Sequence, residues 1–164
     1  MTPTLVLGLG NILLRDEGVG VHVVRAMETQ AAAGAALPEG VELVDGGTAG
    51  ADLVDLIAHR RRVIVIDAVR VAPGSSTGQA EARPGTILRF GPESMAAKTA
   101  PGLSLHEVGL LEALLMARHL GCEPREVIVF GIIPADLGPG LDLTPPVAAA
   151  VPRVIDLVRQ ELAR

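Results

Sequence analysis

The sequence predicts a three-layer α/β/α sandwich, in which helices cover both faces of a central sheet. Short apolar segments alternate along the chain with segments of helical spacing. Within the strand predicted at 63–68, residues 63–66 form an unbroken apolar run that stops at Asp67, which is typical of a central parallel strand buried on both faces. The strand predicted at 86–90 follows a stretch, 73–85, without a helical pattern. Because a parallel neighbour needs a crossover, we expect this strand to run antiparallel at an edge.

The remaining elements follow from local signals. The first strand is a short apolar run bounded by Gly8, and the first helix shows an apolar face at helical spacing. Ser104 and Glu107 have capping-box spacing at the start of the third helix, and Thr144 with Pro145 predicts an N-cap followed by an N1 proline. Residues 91–102 have no regular pattern. The other predicted strands are 4–7, 41–45 and 127–133, and the predicted helices are 18–30, 51–58, 104–120 and 145–162.

Composition narrows the class of protein. The 164 residues fit one domain, 1–164, with an aliphatic core, since the chain has two Phe and no Tyr or Trp. The net charge of −5 and the scarcity of aromatic rings argue against nucleic-acid binding. The sequence lacks a signal peptide and any apolar run long enough for a membrane span, so we expect a soluble, cytoplasmic protein without a membrane partner. We expect a monomer, although no pattern sets the oligomeric state.

Acidic residues follow the first three predicted strands. Glu17, Asp45 and Asp67 come after strands one, two and three, and His106 lies in the first turn of a helix. In a parallel sheet these positions face the same edge, where ligands usually bind. Two carboxylates and an imidazole suit a borderline divalent metal such as nickel or zinc. Helix capping or simple solvation remains an alternative for each acid, because Asp readily caps a following helix.

The opening of the chain carries a resemblance to a known family. Residues 8–20 read Gly-x-Gly-Asn-x-Leu-x-x-Asp-Glu-Gly-x-Gly. This pattern resembles the N-terminal signature of the hydrogenase maturation endopeptidases, which trim the C-terminal extension of nickel-iron hydrogenase large subunits. The glycine-rich segment 45–50, the strand that ends at Asp67, the segment around His106, and the motifs at 131–134 and 143–145 are also similar to that family. The stretch 74–83 is longer than usual, which leaves the role of that loop open.

The resemblance implies a fold, a substrate and a set of roles. The fold is a five-stranded, mostly parallel sheet with one antiparallel strand. Glu17, Asp67 and His106 match the family's metal ligands, and we expect them to carry catalysis by binding nickel held in the precursor. The resting protein can then be metal-free, and its own metal occupancy stays open. The resemblance ties the loop of Asp45, Gly46, Gly47 and Thr48 to contact with the substrate, a hydrogenase large-subunit precursor.

Three other functions share some of these sequence features. A dinucleotide-binding module needs a third glycine at position 13, where this chain has Leu13, and an acid about 20 residues on. A peptidyl-tRNA hydrolase has a similar start, but its later motifs are absent and the acidic charge disfavours tRNA. A non-catalytic nickel checkpoint would use the same three ligands and stays open. The chemistry of the hydrolytic step also stays open between the metal and a carboxylate acting as general base.

The remaining reactive or charged residues favour structural interpretations. We expect His22 to be structural or partly exposed, His59 to lie at a solvated helix end, and His119 to complement a helix dipole. The arginines at 60–62 are predicted to form a solvated face, with contact to acidic substrate groups as the alternative. Cys122, the single cysteine, excludes an internal disulfide and is expected to be a small core or loop residue.

Overall fold

The computed structural model describes residues 3–50, 52–70, 83–97 and 105–164, without the side chains of 96–97 and 105–108. Two predictions, the Ser104–Glu107 capping box and the form of the 73–85 loop, therefore fall wholly or mostly outside the described residues. The strands are β1 (Thr4–Leu9), β2 (Val41–Gly47), β3 (Arg62–Ala68), β4 (Ile87–Phe90) and β5 (Val127–Ile132). The helices are α1 (Val19–Ala32), α2 (Leu53–Ile57), α3 (Pro92–Ala97), α4 (Leu105–His119) and α5 (Pro145–Leu162), with a 3-10 helix at Arg15–Gly18.

The sheet confirms the predicted topology. Its strand order is β2-β1-β3-β5-β4, with every pair parallel except β4 against β5. The antiparallel strand lies at an edge, as the missing crossover predicts. The central strand β3 is buried along six of its seven residues, as expected for a parallel strand covered on both faces.

Two apolar clusters fill the spaces between the sheet and its helices. One cluster packs β1, β3 and β5 side chains such as Val6 and Ile64 against α1 and α5. The other packs Leu5, Leu7 and Val65, from the opposite face of the same strands, against α2, α3 and α4. Alternate residues of a strand point to opposite faces, so a single apolar strand supplies both cores. The three-layer α/β/α architecture is therefore confirmed.

Several local predictions were wrong in detail. Gly8 does not end the first strand but lies within it, and a 3-10 turn precedes α1. Glycine is required at position 8 because α1 crosses the strand closely: a Cβ on Gly8 or on Gly20 would collide with backbone of the other segment. Residues 92–97, predicted to be irregular, form α3 with Pro92 at its start, a position that proline favours because its missing N–H would have no partner there.

The arginine cluster was misjudged at two of its three positions, since only Arg61 is exposed as predicted. Arg60 and Arg62 are largely buried, with side chains only 14% and 11% exposed. Arg60 pairs with Glu42, and Arg62 pairs with Glu126 and donates to the carbonyl of Glu161. These arginines tie together the amino-terminal ends of β2, β3 and β5 with the end of α5, so they are structural.

Within the described ranges, no helix is both long and apolar enough to cross a membrane.

Candidate active site

The strand register brings the predicted acids to one edge of the sheet. Gly8 of β1 pairs with Asp45 of β2 on one side and with Ile66 of β3 on the other. Asp67 is the next residue of β3, and the loop that leads to Glu17 leaves β1 at the same edge. The prediction that these acids share the carboxyl edge of the parallel strands is therefore confirmed for Glu17, Asp45 and Asp67.

A tight turn places Glu17. Gly10 has a φ of +127°, which an L side chain rarely adopts, and a Cβ there would collide with the carbonyl of Glu17. The chain then folds into the 3-10 helix, where the Glu17 N–H donates to the Leu14 carbonyl at 3.1 Å. Glycine at position 10 therefore allows the Glu17 backbone to pack against the end of β1.

Glu17 faces an open cleft of about 360 Å³. The cleft is bounded by three parts of the chain: the β1–α1 loop, the loop after β2, and α4. Its lining residues are Asn11, Leu14, Glu17, Thr48, Ala49, Gly50 and Gly109. Gly109 lies three residues after His106, close to one turn of α4. The backbone of His106 is therefore near this cleft, although its side chain lies outside the described ones.

Asp67 is the last residue but one of β3 and is 2% exposed. Its Oδ1 accepts a hydrogen bond of 2.8 Å from the N–H of Ala68. A buried carboxylate at the end of a central parallel strand is costly unless it is hydrogen-bonded or bound to a cation. The position of Asp67 at the carboxyl edge of the sheet, where ligands usually bind, makes it a candidate functional group.

Asp16 is a key residue that the sequence did not identify. Its side chain is fully buried and accepts four hydrogen bonds across the molecule. The backbone N–H groups of Ala135, Asp136 and Thr144 donate at 2.8, 3.0 and 2.7 Å, and the Thr144 hydroxyl donates at 2.8 Å. Burial alone would raise the pKa of Asp16, but these hydrogen bonds outweigh it and hold the pKa below the ordinary 3.8.

The Asp16 contacts explain the ends of the 134–144 loop. Thr144 is the N-cap of α5, as predicted, but its hydroxyl binds Asp16 and makes no capping bond to the helix. Asp16 therefore fastens the start of α5 to the turn that carries Glu17. The sequence holds one signal for the different roles of Asp16 and Glu17. The two acids are adjacent, and neighbouring side chains in a tight turn point in different directions.

β2 extends to Gly47, two residues beyond its predicted end, so the predicted glycine-rich loop begins inside the strand, where Asp45 holds it. One carboxylate oxygen accepts hydrogen bonds from Nε and Nη2 of Arg25 at 3.1 and 2.9 Å. The other accepts from the N–H of Gly47 at 3.1 Å. Gly46 packs closely against Leu7 and Leu9, so the loop lies tightly on β1. Thr48 lines the cleft that contains Glu17, and the predicted role of this loop in substrate contact remains a prediction.

The environment of His22 agrees with its predicted structural role. It is half-buried on α1, and burial with the nearby Arg25 charge lowers its pKa, against the opposite influence of Asp142 and the Leu141 carbonyl. The imidazole is therefore neutral at pH 7. His59 and His119 are exposed, and Cys122 is a partly buried free thiol, as predicted.

The metal prediction rests on a side chain that is not described. Among the side chains that are described, no three acidic, histidine or cysteine groups converge tightly enough to bind a metal ion. Of the three predicted metal ligands, only Glu17 and Asp67 have described side chains. The role of His106 as third ligand stays a prediction.

Comparisons with known proteins identify the family. The family model described as hydrogenase maturation protease, HycI, matches residues 21–161. The chain is 36% identical to the hydrogenase 2 maturation protease of Escherichia coli over 94% of this chain and 87% of that protein. It is 37% identical to the hydrogenase expression/formation protein HupD of Bradyrhizobium diazoefficiens, over 97% and 77% respectively.

Solved structures agree with these sequence relationships. The hydrogenase maturating endopeptidase HybD from E. coli superimposes with a TM-score of 0.83 at 36% identity, covering 99% of this chain and 93% of that one. HybD from Thermococcus kodakarensis, at 22% identity and a TM-score of 0.74, supports the fold alone. The chain therefore belongs to the hydrogenase maturation protease family and is an endopeptidase, a hydrolase that cleaves peptide bonds.

Proposed function

We propose that this protein removes the C-terminal extension of a nickel-iron hydrogenase large-subunit precursor after nickel has been inserted. Glu17, Asp67 and His106 recognise the nickel that the precursor carries. The single observation that supports this most strongly is the cleft at the carboxyl edge of the sheet. Glu17 opens into it, and α4 borders it one turn after His106.

The residue types suit the proposed ligand. Carboxylate and imidazole are ligands for divalent nickel, and a nickel already held by substrate thiolates needs only a few additional donors. Asp67, buried at the end of the central strand, is held by a stiff backbone and by the N–H of Ala68. Fixed donors of this kind would hold the nickel, and with it the nearby chain, in one orientation.

Holding the precursor by its nickel explains both selectivity and cleavage. A precursor without nickel offers these residues no metal ion to bind, so it would bind weakly. A precursor with nickel is positioned so that its scissile bond lies in the cleft, and such positioning can contribute about 7–11 kcal/mol toward the barrier in favourable cases. A carboxylate of the site, acting as general base, or the metal itself then activates the attacking water.

The test is a processing assay with two forms of one precursor, nickel-loaded and nickel-free. The unchanged protein should cleave only the loaded form, and mass spectrometry of the product gives the cleaved bond. Asp67→Asn and His106→Ala should each abolish cleavage while circular dichroism and melting temperature stay unchanged. Asp156→Asn, which changes an exposed acid on α5, is the matched control and should cleave normally.

Two results would contradict the proposal. Full activity in both the Asp67 and His106 variants would remove these residues from the mechanism. Equal cleavage of the nickel-free precursor would remove nickel recognition. If the unchanged protein bound the loaded precursor without cleaving it, the site would serve as a nickel checkpoint instead.

A further inference from the structure

A second cleft adjoins the one that contains Glu17. Its volume is about 310 Å³, and it shares Asn11 and Thr48 with the first cleft. The shared residues place the two clefts side by side at the carboxyl edge of the sheet. Its other walls come from the β1–α1 loop, from α1 and from the loop after β2.

The second cleft contains no uncompensated charge among its lining residues. Arg25 and Asp45 are the charged residues of its lining, and they are bonded to each other. The second oxygen of Asp45 is occupied by the N–H of Gly47. The remaining walls include the apolar side chains of Ile12, Leu13 and Val21. An uncharged apolar group can contact these walls and leave the Arg25–Asp45 pair intact.

Two leucines beside this cleft are exposed: Leu13 lines it, and Leu141 follows Gly140, whose backbone is hydrogen-bonded to Leu13. Leu13 is 59% exposed and Leu141 is 64% exposed. The backbone around them is fixed, because Gly140 donates to the Leu13 carbonyl and accepts from the Arg15 N–H, both at 2.9 Å. The Asp16 hydrogen bonds fasten the same two segments together. Apolar side chains on a rigid exposed margin bind a partner at little cost in conformational entropy.

We propose that the second cleft, with Leu13 and Leu141, is a subsite for an uncharged apolar side chain of the precursor beside the scissile bond. This inference rests on the proposed function, because the occupant is the segment that passes the Glu17 cleft. The adjacency of the two clefts selects this segment over an unrelated partner, because a chain that passes Glu17 also passes the second cleft. In an extended peptide successive side chains point to opposite sides, so the subsite takes one residue and not its immediate neighbours.

The first experiment measures steady-state cleavage of the nickel-loaded precursor by Leu13→Ser and Leu141→Ser. We expect KM to rise about tenfold for Leu13→Ser, the scale of losing one buried leucine contact, while kcat changes less than about twofold. Leu141→Ser should raise KM less, because this residue lies outside the cleft lining. Leu120→Ser is the matched control, since Leu120 is 62% exposed at the far end of α4, and it should leave both constants unchanged.

A second experiment identifies the precursor residue that occupies the subsite. Each of the four residues on either side of the cleaved bond is changed to serine, and each precursor is tested with the unchanged protein and with Leu13→Ser. One position, originally apolar, should lose its effect in the Leu13 variant, because both changes remove the same contact. Effects that multiply independently at every position would overturn the subsite.

Other outcomes assign the leucines differently. An unchanged KM in Leu13→Ser, with normal cleavage by the unchanged protein, overturns this inference and leaves the proposed function intact. A further outcome is a dimer in sedimentation that Leu13→Ser converts to monomers without changing KM. In that case the leucines would serve self-association, and the subsite would be rejected. Failure of the unchanged protein to cleave any precursor would instead refute the proposed function.

Discussion

The two ends of the parallel strands use the same residue types in different ways. At the amino end, the carboxylates of Glu42, Glu126 and Glu161 each pair with an arginine. At the carboxyl end, Asp45 also pairs with an arginine, but Asp16 is bonded by backbone N–H groups and a hydroxyl, and Glu17 faces a cleft. An acid in this fold is therefore structural or functional according to what the surrounding chain offers it.

The comparison is sharpest between the neighbours Asp16 and Glu17. Asp16 is completely buried and joins two loops, while Glu17 is partly exposed beside the cleft. The first carboxylate builds the site by fixing the turn, and the second is displayed by that turn. Replacing acids of each kind should affect activity and stability separately.

The largest effect is expected from Glu17→Gln. Cleavage of the loaded precursor should fall about 100-fold or more, because the change removes a charged group from the cleft. The melting temperature should shift by no more than about 2 °C, since Glu17 is not part of the core. Glu28→Gln, an exposed change on α1, should match the unchanged protein in both measurements.

Asp16→Asn should chiefly reduce stability. The amide oxygen cannot replace a carboxylate that accepts four hydrogen bonds, and we expect a loss of about 2–4 kcal/mol in the free energy of unfolding. Urea denaturation measures this loss. A variant as stable as the unchanged protein would show that the two loops are held by other contacts.

The pH dependence of this difference has a definite sign. The pKa of Asp16 is lower in the folded protein than its ordinary 3.8, so its charge stabilises the fold above that value. The stability gap between the unchanged protein and Asp16→Asn should be constant near neutral pH. It should shrink as the pH falls below about 4, through the still lower folded pKa. A gap that widened on acidification would contradict this assignment.

Glu161→Gln tests the other end of the sheet. A hydrogen bond from Arg89 lowers the pKa of Glu161, against the effect of burial, with further help from Arg164 and Arg62. We expect a stability loss of about 1–2 kcal/mol, smaller than for Asp16 because the Arg89 and Arg164 side chains are largely exposed. Cleavage should be unaffected, and a strong loss of activity would break the division between the two ends.

The smallest effect is expected from Glu42→Gln. Its partner Arg60 is mostly buried, but Glu42 itself is 47% exposed and water screens the pair. The free energy of unfolding should change by less than about 0.5 kcal/mol. A loss above 1 kcal/mol in the same urea assay would show that Arg60 depends on this carboxylate.

The sequence predicted the elements whose signals are local. The apolar run of β3 and the Thr144–Pro145 start of α5 each lie within a few residues, and both were confirmed. The antiparallel edge strand followed from a missing crossover. The helix at Pro92 was missed because it is short and rich in small residues, although its proline was a usable signal.

Long-range pairings were beyond local signals. Asp16 meets Thr144 across 128 positions, and no pattern near either residue announces that contact. The arginines at 60–62 were predicted to be solvated because a charge run usually is, but their carboxylate partners lie far away in sequence. The edge shared by Glu17, Asp45 and Asp67 was predictable, because a parallel register alone determines it.

The most direct test of nickel recognition is X-ray absorption at the nickel edge. The sample is a nickel-loaded precursor made uncleavable by proline after the scissile bond, measured alone and with the protein. We expect oxygen and nitrogen ligands to appear beside the thiolates on mixing, and to be lost with Glu17→Gln or His106→Ala. An unchanged nickel spectrum in a complex that forms normally would contradict the assignment of these residues to the metal.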